Sequence, residues 1–200
     1  METEEKIVNT VDCIKVYPAF IIFNFILAYE KVIGFNRFIA DTILIASLLL
    51  TSLSVVGWSI KSLRLYDGPI KSLFLFIYGA LTGLFLKLTL SICSINFFIS
   101  ISSFPISIVD PAWKLLYVLA SCTMFQGILQ GVKIRKLLKI AISTSCLVAF
   151  MIPVVSPSSI ETLVSMAITA LISSIIFYKV KSLIPPTFLL FIVSFKGIIV

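Results

Sequence analysis

The sequence predicts an all-α protein: a polytopic bundle of six or seven transmembrane helices with a cytoplasmic N-terminus. Three observations carry that expectation. First, the 200 residues are 60% hydrophobic and 12% charged, about half the ~25% charge of an ordinary soluble domain; the mean hydropathy is +1.15. Second, apolar runs of spanning length recur. The clearest is 38–60, FIADTILIASLLLTSLSVVGWSI, in which Asp41 is the one charge. About 20 apolar residues of helix cross the ~30 Å hydrocarbon layer. Third, lysines and arginines gather in the connections between these runs. A single transmembrane domain over 16–200, preceded by a polar segment at 1–15, accounts for the whole chain.

Each element has its own signal. In 1–15, Ile7, Val11 and Ile14 fall at i, i+4 and i+7, one apolar stripe suited to a helix lying on the membrane surface. The acidic start METEEK lacks a basic leader and a small-residue cleavage site, so the first apolar run is expected to stay in the mature protein. That run, 16–29, holds Asn24 and is marked by Tyr17 and Tyr29, rings that favour the headgroup level. The second span, 38–60, closes at Trp58, and Asp67-Gly68-Pro69 signals a turn.

The third apolar stretch, 72–109, is too long for one upright helix. It reads as a tilted helix to about Ser100 followed by irregular or interfacial chain around Pro105, with a re-entrant segment at 91–109 as the alternative. Asp110-Pro111 interrupts the pattern. A fourth span follows at 112–132, with Trp113 and Tyr117 at its entrance. The fifth, 140–155, is ended by Pro153 and Pro157. Ser158 and Glu161 form a capping-box spacing that opens the sixth, 160–178. Lys179, Lys181 and Pro185-Pro186 read as its closure. The tail 187–200 is marginal as a span at 14 residues; it could cross a thin bilayer, re-enter, or pack on the bundle.

Basic residues set the orientation. With the N-terminus cytoplasmic, eleven lie inside: Lys6, Lys15, Lys61, Arg64, Lys71, Lys133, Arg135, Lys136, Lys139, Lys179 and Lys181. Three lie outside: Lys31, Arg37 and Lys114. The net charge of +7 is therefore explained by topology, and no nucleic-acid partner is expected. Six spans keep the C-terminus inside, and seven place it outside. The sequence does not distinguish the endoplasmic reticulum or another endomembrane from the plasma membrane.

Several chemistries are excluded. The chain has no histidine, which removes a Ser-His base, histidine metal ligands and haem ligation. Its four cysteines, Cys13, Cys93, Cys122 and Cys146, form no CxxC pair, so neither a zinc site nor a disulfide framework is expected. None of the nine acids sits at the centre of a span, and there is no DxxD pair. Asp67-Gly68-Pro69-Ile70-Lys71 begins like the DGxxAR motif of CDP-alcohol phosphotransferases, but the Ala-Arg and the later aspartates are missing. No catalytic residue, cofactor or metal is expected.

The positive features are few. Lys87 lies inside the third span, where a central lysine costs ~2.5–3.5 kcal/mol on insertion scales. It is expected either to snorkel to the outer headgroups or to line a polar path. Gln126 and Gln130 share one face of the fourth span and, with Asn96, could continue such a path. Gly79/Gly83 and Gly127/Gly131 are two GxxxG pairs, read as helix-packing or oligomer faces. Ala141/Ser145/Ala149 and Ser165/Thr169/Ser173 repeat that small-residue spacing. Lys133, Arg135, Lys136 and Lys139 could contact anionic lipid headgroups.

Three function classes follow: a structural or accessory subunit of a membrane complex, a small channel or transporter, and a lipid-modifying enzyme. The first is expected, because no catalytic group is evident while small-xxx-small faces are many. Its partners would be the lipid bilayer and other membrane subunits or copies of itself. A 3+3+1 layout of seven spans resembles that of trimeric intracellular cation channels, but their glycine triplet and Lys-Glu-Val motif are not found.

Overall fold

The computed structural model describes residues 68–95, 97, 109–131, 135–155 and 159–195, together with 22, 26, 42, 43, 45–48 and 50. Those last isolated positions, drawn from the predicted spans 16–29 and 38–60, are helical, and Ile45 and Leu48 are buried. The rest of both spans, the polar segment 1–15 and the connection 98–108 lie outside the described residues. Among the described residues there is no strand. Three helices, Pro69–Ile92, Lys136–Pro153 and Ile160–Val180, are long and apolar enough to cross a membrane.

Helix α1 is Pro69–Ile92. Pro69 opens it, where a missing N–H is harmless, and Gly68 precedes it at φ 93°. Its 24 residues measure about 36 Å. It ends some eight residues before the predicted Ser100. Ser94 adopts φ 56°; its N–H donates to Ser91 O at 3.0 Å, while the Ile95 N–H donates to Leu90 O at 2.8 Å. That pair of bonds is a Schellman motif with serine in the position glycine usually takes. No glycine or proline marks the stop, so hydropathy alone runs through it.

Helix α2 covers Val109–Cys122 and continues through a π turn, Thr123–Ile128, into a 3₁₀ turn, Leu129–Gly131. Asp110-Pro111 therefore lies within its first turn instead of breaking the helix, a position that suits proline. Tyr117 is not an interfacial ring. It is buried, stacked on Phe150 at 5.7 Å. The Thr123 hydroxyl donates to Leu119 O at 2.8 Å, the carbonyl that its own N–H would take in a regular α-helix. That competition sits where the helix widens.

Helix α3, Lys136–Val155, begins four residues earlier than 140 and carries Pro153 inside its last turn. Helix α4, Ile160–Val180, is capped by Ser159, not Ser158; the Thr162 N–H donates to the Ser159 hydroxyl at 3.3 Å. Lys181, in the left-handed conformation, ends it.

Helix α5, Ile184–Ser194, is the largest departure from expectation. Pro185-Pro186 does not close a helix but opens one, occupying the first turn where proline is tolerated. The tail thus folds as an 11-residue helix of about 16 Å, short of a full span. It is the central element: α1, α2 and α4 all pack on it, burying Pro185, Pro186, Leu189, Leu190 and Val193. Residues 196–200, Lys196 among them, lie outside the described residues.

Candidate functional site: a buried lysine and a glutamine–serine cluster

The α1–α5 seam is built from glycine. A Cβ on Gly79 would meet the Pro185 backbone at 2.6 Å, and one on Gly83 would meet Leu189 Cα at 3.0 Å. Only bare backbone permits this approach, the device membrane helices use where burial from water supplies no drive. The register Gly79–Pro185, Gly83–Leu189 rises in both helices, so α1 and α5 run parallel. This GxxxG is thus a packing face within the chain. The second pair differs: a Cβ on Gly127 would make ordinary contact with Leu183 Cδ1 at 3.5 Å, and the side of Gly131 lies outside the described residues. Of the small-residue stripes, Ser165, Thr169 and Ser173 face inward, whereas Ala141 and Ser145 are exposed.

One turn beyond Gly83 on the same face comes Lys87. It is 2% exposed, so it does not snorkel. Its ammonium donates to Ile192 O at 3.1 Å and to Phe195 O, the free carbonyls at the C-terminal end of α5. Those groups lack partners within the helix and carry the negative end of its dipole. Lys87 therefore supplies both a hydrogen-bond donor and a positive charge where α5 stops. The Ile192 carbonyl lies 105 positions away in sequence.

Gln126 and Gln130 form a separate cluster. The Gln126 side-chain amide N–H donates to Ser173 Oγ at 2.7 Å. The Gln130 amide N–H donates to Ser143 Oγ at 3.0 Å and to Ser174 O at 3.1 Å. Ser143 Oγ donates onward to Ser174 Oγ at 3.0 Å. All five residues are buried. Gln126, in the π turn, bonds to α4, and Gln130, in the 3₁₀ turn, bonds to α3 and α4; Lys139 caps the end of α2 by donating to Gln130 O at 3.0 Å. Gln126 lies beside Gly127 and hence near Leu183, at the start of α5, whereas Lys87 binds its end. Nine residues of helix separate those levels, about 13 Å. The lysine and the glutamines are not brought into one path. Asn96, the fourth member of the predicted path, lies outside the described residues.

The basic group is also partly committed. Lys136 and Lys181 both sit over the Tyr178 ring, at 5.1 and 4.3 Å, within cation–π range. Arg135 and Lys136 are exposed and Lys139 half-buried; Lys133 lies outside the described residues. Arg135, Lys136, Lys139 and Lys179 occupy one end of the bundle. Glu161 and Lys114, at or near the opposite ends of α4 and α2, lie away from it.

Sequence reasoning missed Ser143, Ser174 and the carbonyls of Ile192 and Phe195. Serines spaced at Ser143 and Ser173-Ser174 in apolar helices were a usable signal for the cluster. The carbonyls had none, since every residue carries one. Comparison with protein families, curated proteins and solved structures finds no match to the chain.

Proposed function

We propose that this chain is a multi-pass integral membrane protein with a cytoplasmic N-terminus, serving as a structural or accessory subunit of a membrane complex and not as an enzyme. The observation that carries the reading is the use made of Lys87. The cation best placed to bind an anionic solute is spent on the end of α5, and the glutamine N–H groups are spent on serines of neighbouring helices. The polar groups thus hold helices together. A cavity lined by Tyr117, Val118, Ser121, Leu147, Met151 and Leu190 measures about 10 Å³, the room of one water. Outward-facing Leu73, Phe74, Ile77, Leu81 and Phe85 of α1 suit lipid or a partner helix. The exposed Arg135 and Lys136 suit anionic headgroups at ~1 kcal/mol per charge.

A second reading, a small channel or transporter, draws on the buried side-chain oxygens of Gln126 and Gln130, which accept no hydrogen bond among the described residues. Two measurements separate the readings. Stable co-purification of membrane partners in mild detergent, without ion or solute flux in liposomes, is expected. Flux that disappears on Lys87→Ala or Gln126→Ala would overturn the subunit reading.

A further inference from the structure

The oxygen atoms of the glutamine cluster carry a demand that the helices themselves do not meet. Gln130 is 3% exposed and Gln126 fully buried, yet Oε1 of each lacks a donor among the described residues. For Gln130 the amide cannot be turned to cure this. Ser174 O can only accept, so the N–H₂ must face it, and Oε1 is left on the other side. Turning the Gln126 amide would let Ser173 donate to its oxygen but would strand its N–H₂ instead. A buried acceptor without a partner costs about 1–3 kcal/mol, and hydrocarbon offers no relief.

The charge around the cluster decides what can meet that demand. The Lys139 ammonium is bonded to the backbone oxygen of Gln130 itself, so a free cation would enter against a positive charge. Glu161, the acid on α4, is 12 residues from Ser173, about 18 Å along the helix, and offers no counter-charge. An anion would meet amide oxygens. The ligand is therefore a neutral hydrogen-bond donor. Size narrows it further, because α2, α3 and α4 are held at direct hydrogen-bond distances of 2.7–3.1 Å across the cluster. Nothing larger than water could enter without parting the helices.

We infer that the Gln126–Gln130–Ser143–Ser174 cluster is a water-binding site within the membrane domain, supplied from the basic end of the bundle. Ser174 lies six residues before the end of α4, and Ser143 seven after the start of α3. The site is thus about 10 Å below that surface, with Lys139 between it and the headgroups. Gln126 lies on the π turn, a feature frequent at functional positions, and Gln130 on the 3₁₀ turn that follows it. The inference is independent of whether the chain is an accessory subunit.

The chain contains two glutamines, Gln126 and Gln130, so glutamine labelling reports on this site alone. The full chain, carrying ¹⁵N,¹³C-glutamine, is reconstituted in lipid with deuterated tails and observed by solid-state NMR. Water-to-amide polarisation transfer should reach the Gln130 side-chain N–H₂. Its exchange into D₂O should run about 100-fold faster than that of backbone amides in the apolar layer around Phe150, labelled in a second sample. Gln130→Met assigns the two signals. If that variant does not fold, the wild-type signals still decide, because both amides belong to the cluster. Absence of water transfer, with exchange as slow as at Phe150, overturns the assignment. So does a shift of the glutamine side-chain carbonyl when choline chloride is replaced by sodium chloride, since that would mean a cation is bound.

Discussion

Two of the seams between the described helices solve one problem by different means. Between α1 and α5 the contact is backbone on backbone, with Gly79 and Gly83 admitting Pro185 and Leu189. Between α2, α3 and α4 it is side chain on side chain, with amides and hydroxyls bonded across the gap. Each seam has a lysine on a helix C-terminal end: Lys87 on α5, deeply buried, and Lys139 on α2, near the basic surface. Each of these lysines donates to backbone carbonyl oxygen. The difference teaches where tolerance lies. The glycine seam has no room for a Cβ, whereas the polar seam imposes strict donor–acceptor requirements.

The largest effect expected is from Gly79→Ala. The new Cβ would press on Pro185 Cα and O, both backbone, so the helices must part; a loss of about 3 kcal/mol is expected, with about half that for Gly83→Ala. Unfolding in detergent followed by circular dichroism measures both. Equal, negligible losses would show that the seam is looser than its backbone contacts imply.

Lys87→Met keeps length and removes the charge. Loss of the charge-assisted bonds to Ile192 O and Phe195 O should cost about 2 kcal/mol. The damage should be local, seen as faster amide exchange across 190–195 with α3 and α4 unaffected. Global melting of all helices together would instead make Lys87 a keystone of both seams.

Ser94→Gly is expected to stabilise the chain by about 1 kcal/mol, because glycine adopts a positive φ without the Cβ penalty. A loss of stability would mean that the serine side chain contributes something glycine cannot. The smallest effect is expected from Gly127→Ala. Its Cβ would meet the far end of Leu183 at 3.5 Å, so the change should stay within about 0.5 kcal/mol. A large loss would make the contact between α2 and the start of α5 as tight as the glycine seam and erase the contrast between the two glycine pairs.

Much of this was legible beforehand, and the misses have physical causes. The limits of α4 were read to within two residues from an apolar run flanked by Ser158 and Lys179, signals carried by consecutive residues, although Ser159 is the residue that caps it. The Gly79/Gly83 pair was legible as a packing face, but so was Gly127/Gly131; the first meets backbone, whereas Gly127 faces the Leu183 side chain. Spacing records that two glycines share a face, not what stands opposite. Pro185-Pro186 was misread because proline is compatible with both the end of one helix and the first turn of the next. The stop of α1 was missed because Ser94, in a left-handed conformation, is invisible to hydropathy.

The amino-acid sequence by itself determined a helical fold with apolar helices long enough to cross a membrane, and it separated the basic ends from the apolar middles. Transfer free energy and backbone hydrogen bonding are properties of a segment, and a segment can be read alone. Only the tertiary structure decided that the last apolar stretch is a short central helix, that Lys87 serves its carbonyl end, and that two glutamines meet serines from two other helices. Those outcomes depend on which groups end up opposite one another across distances of up to 105 positions, and no local pattern encodes that choice.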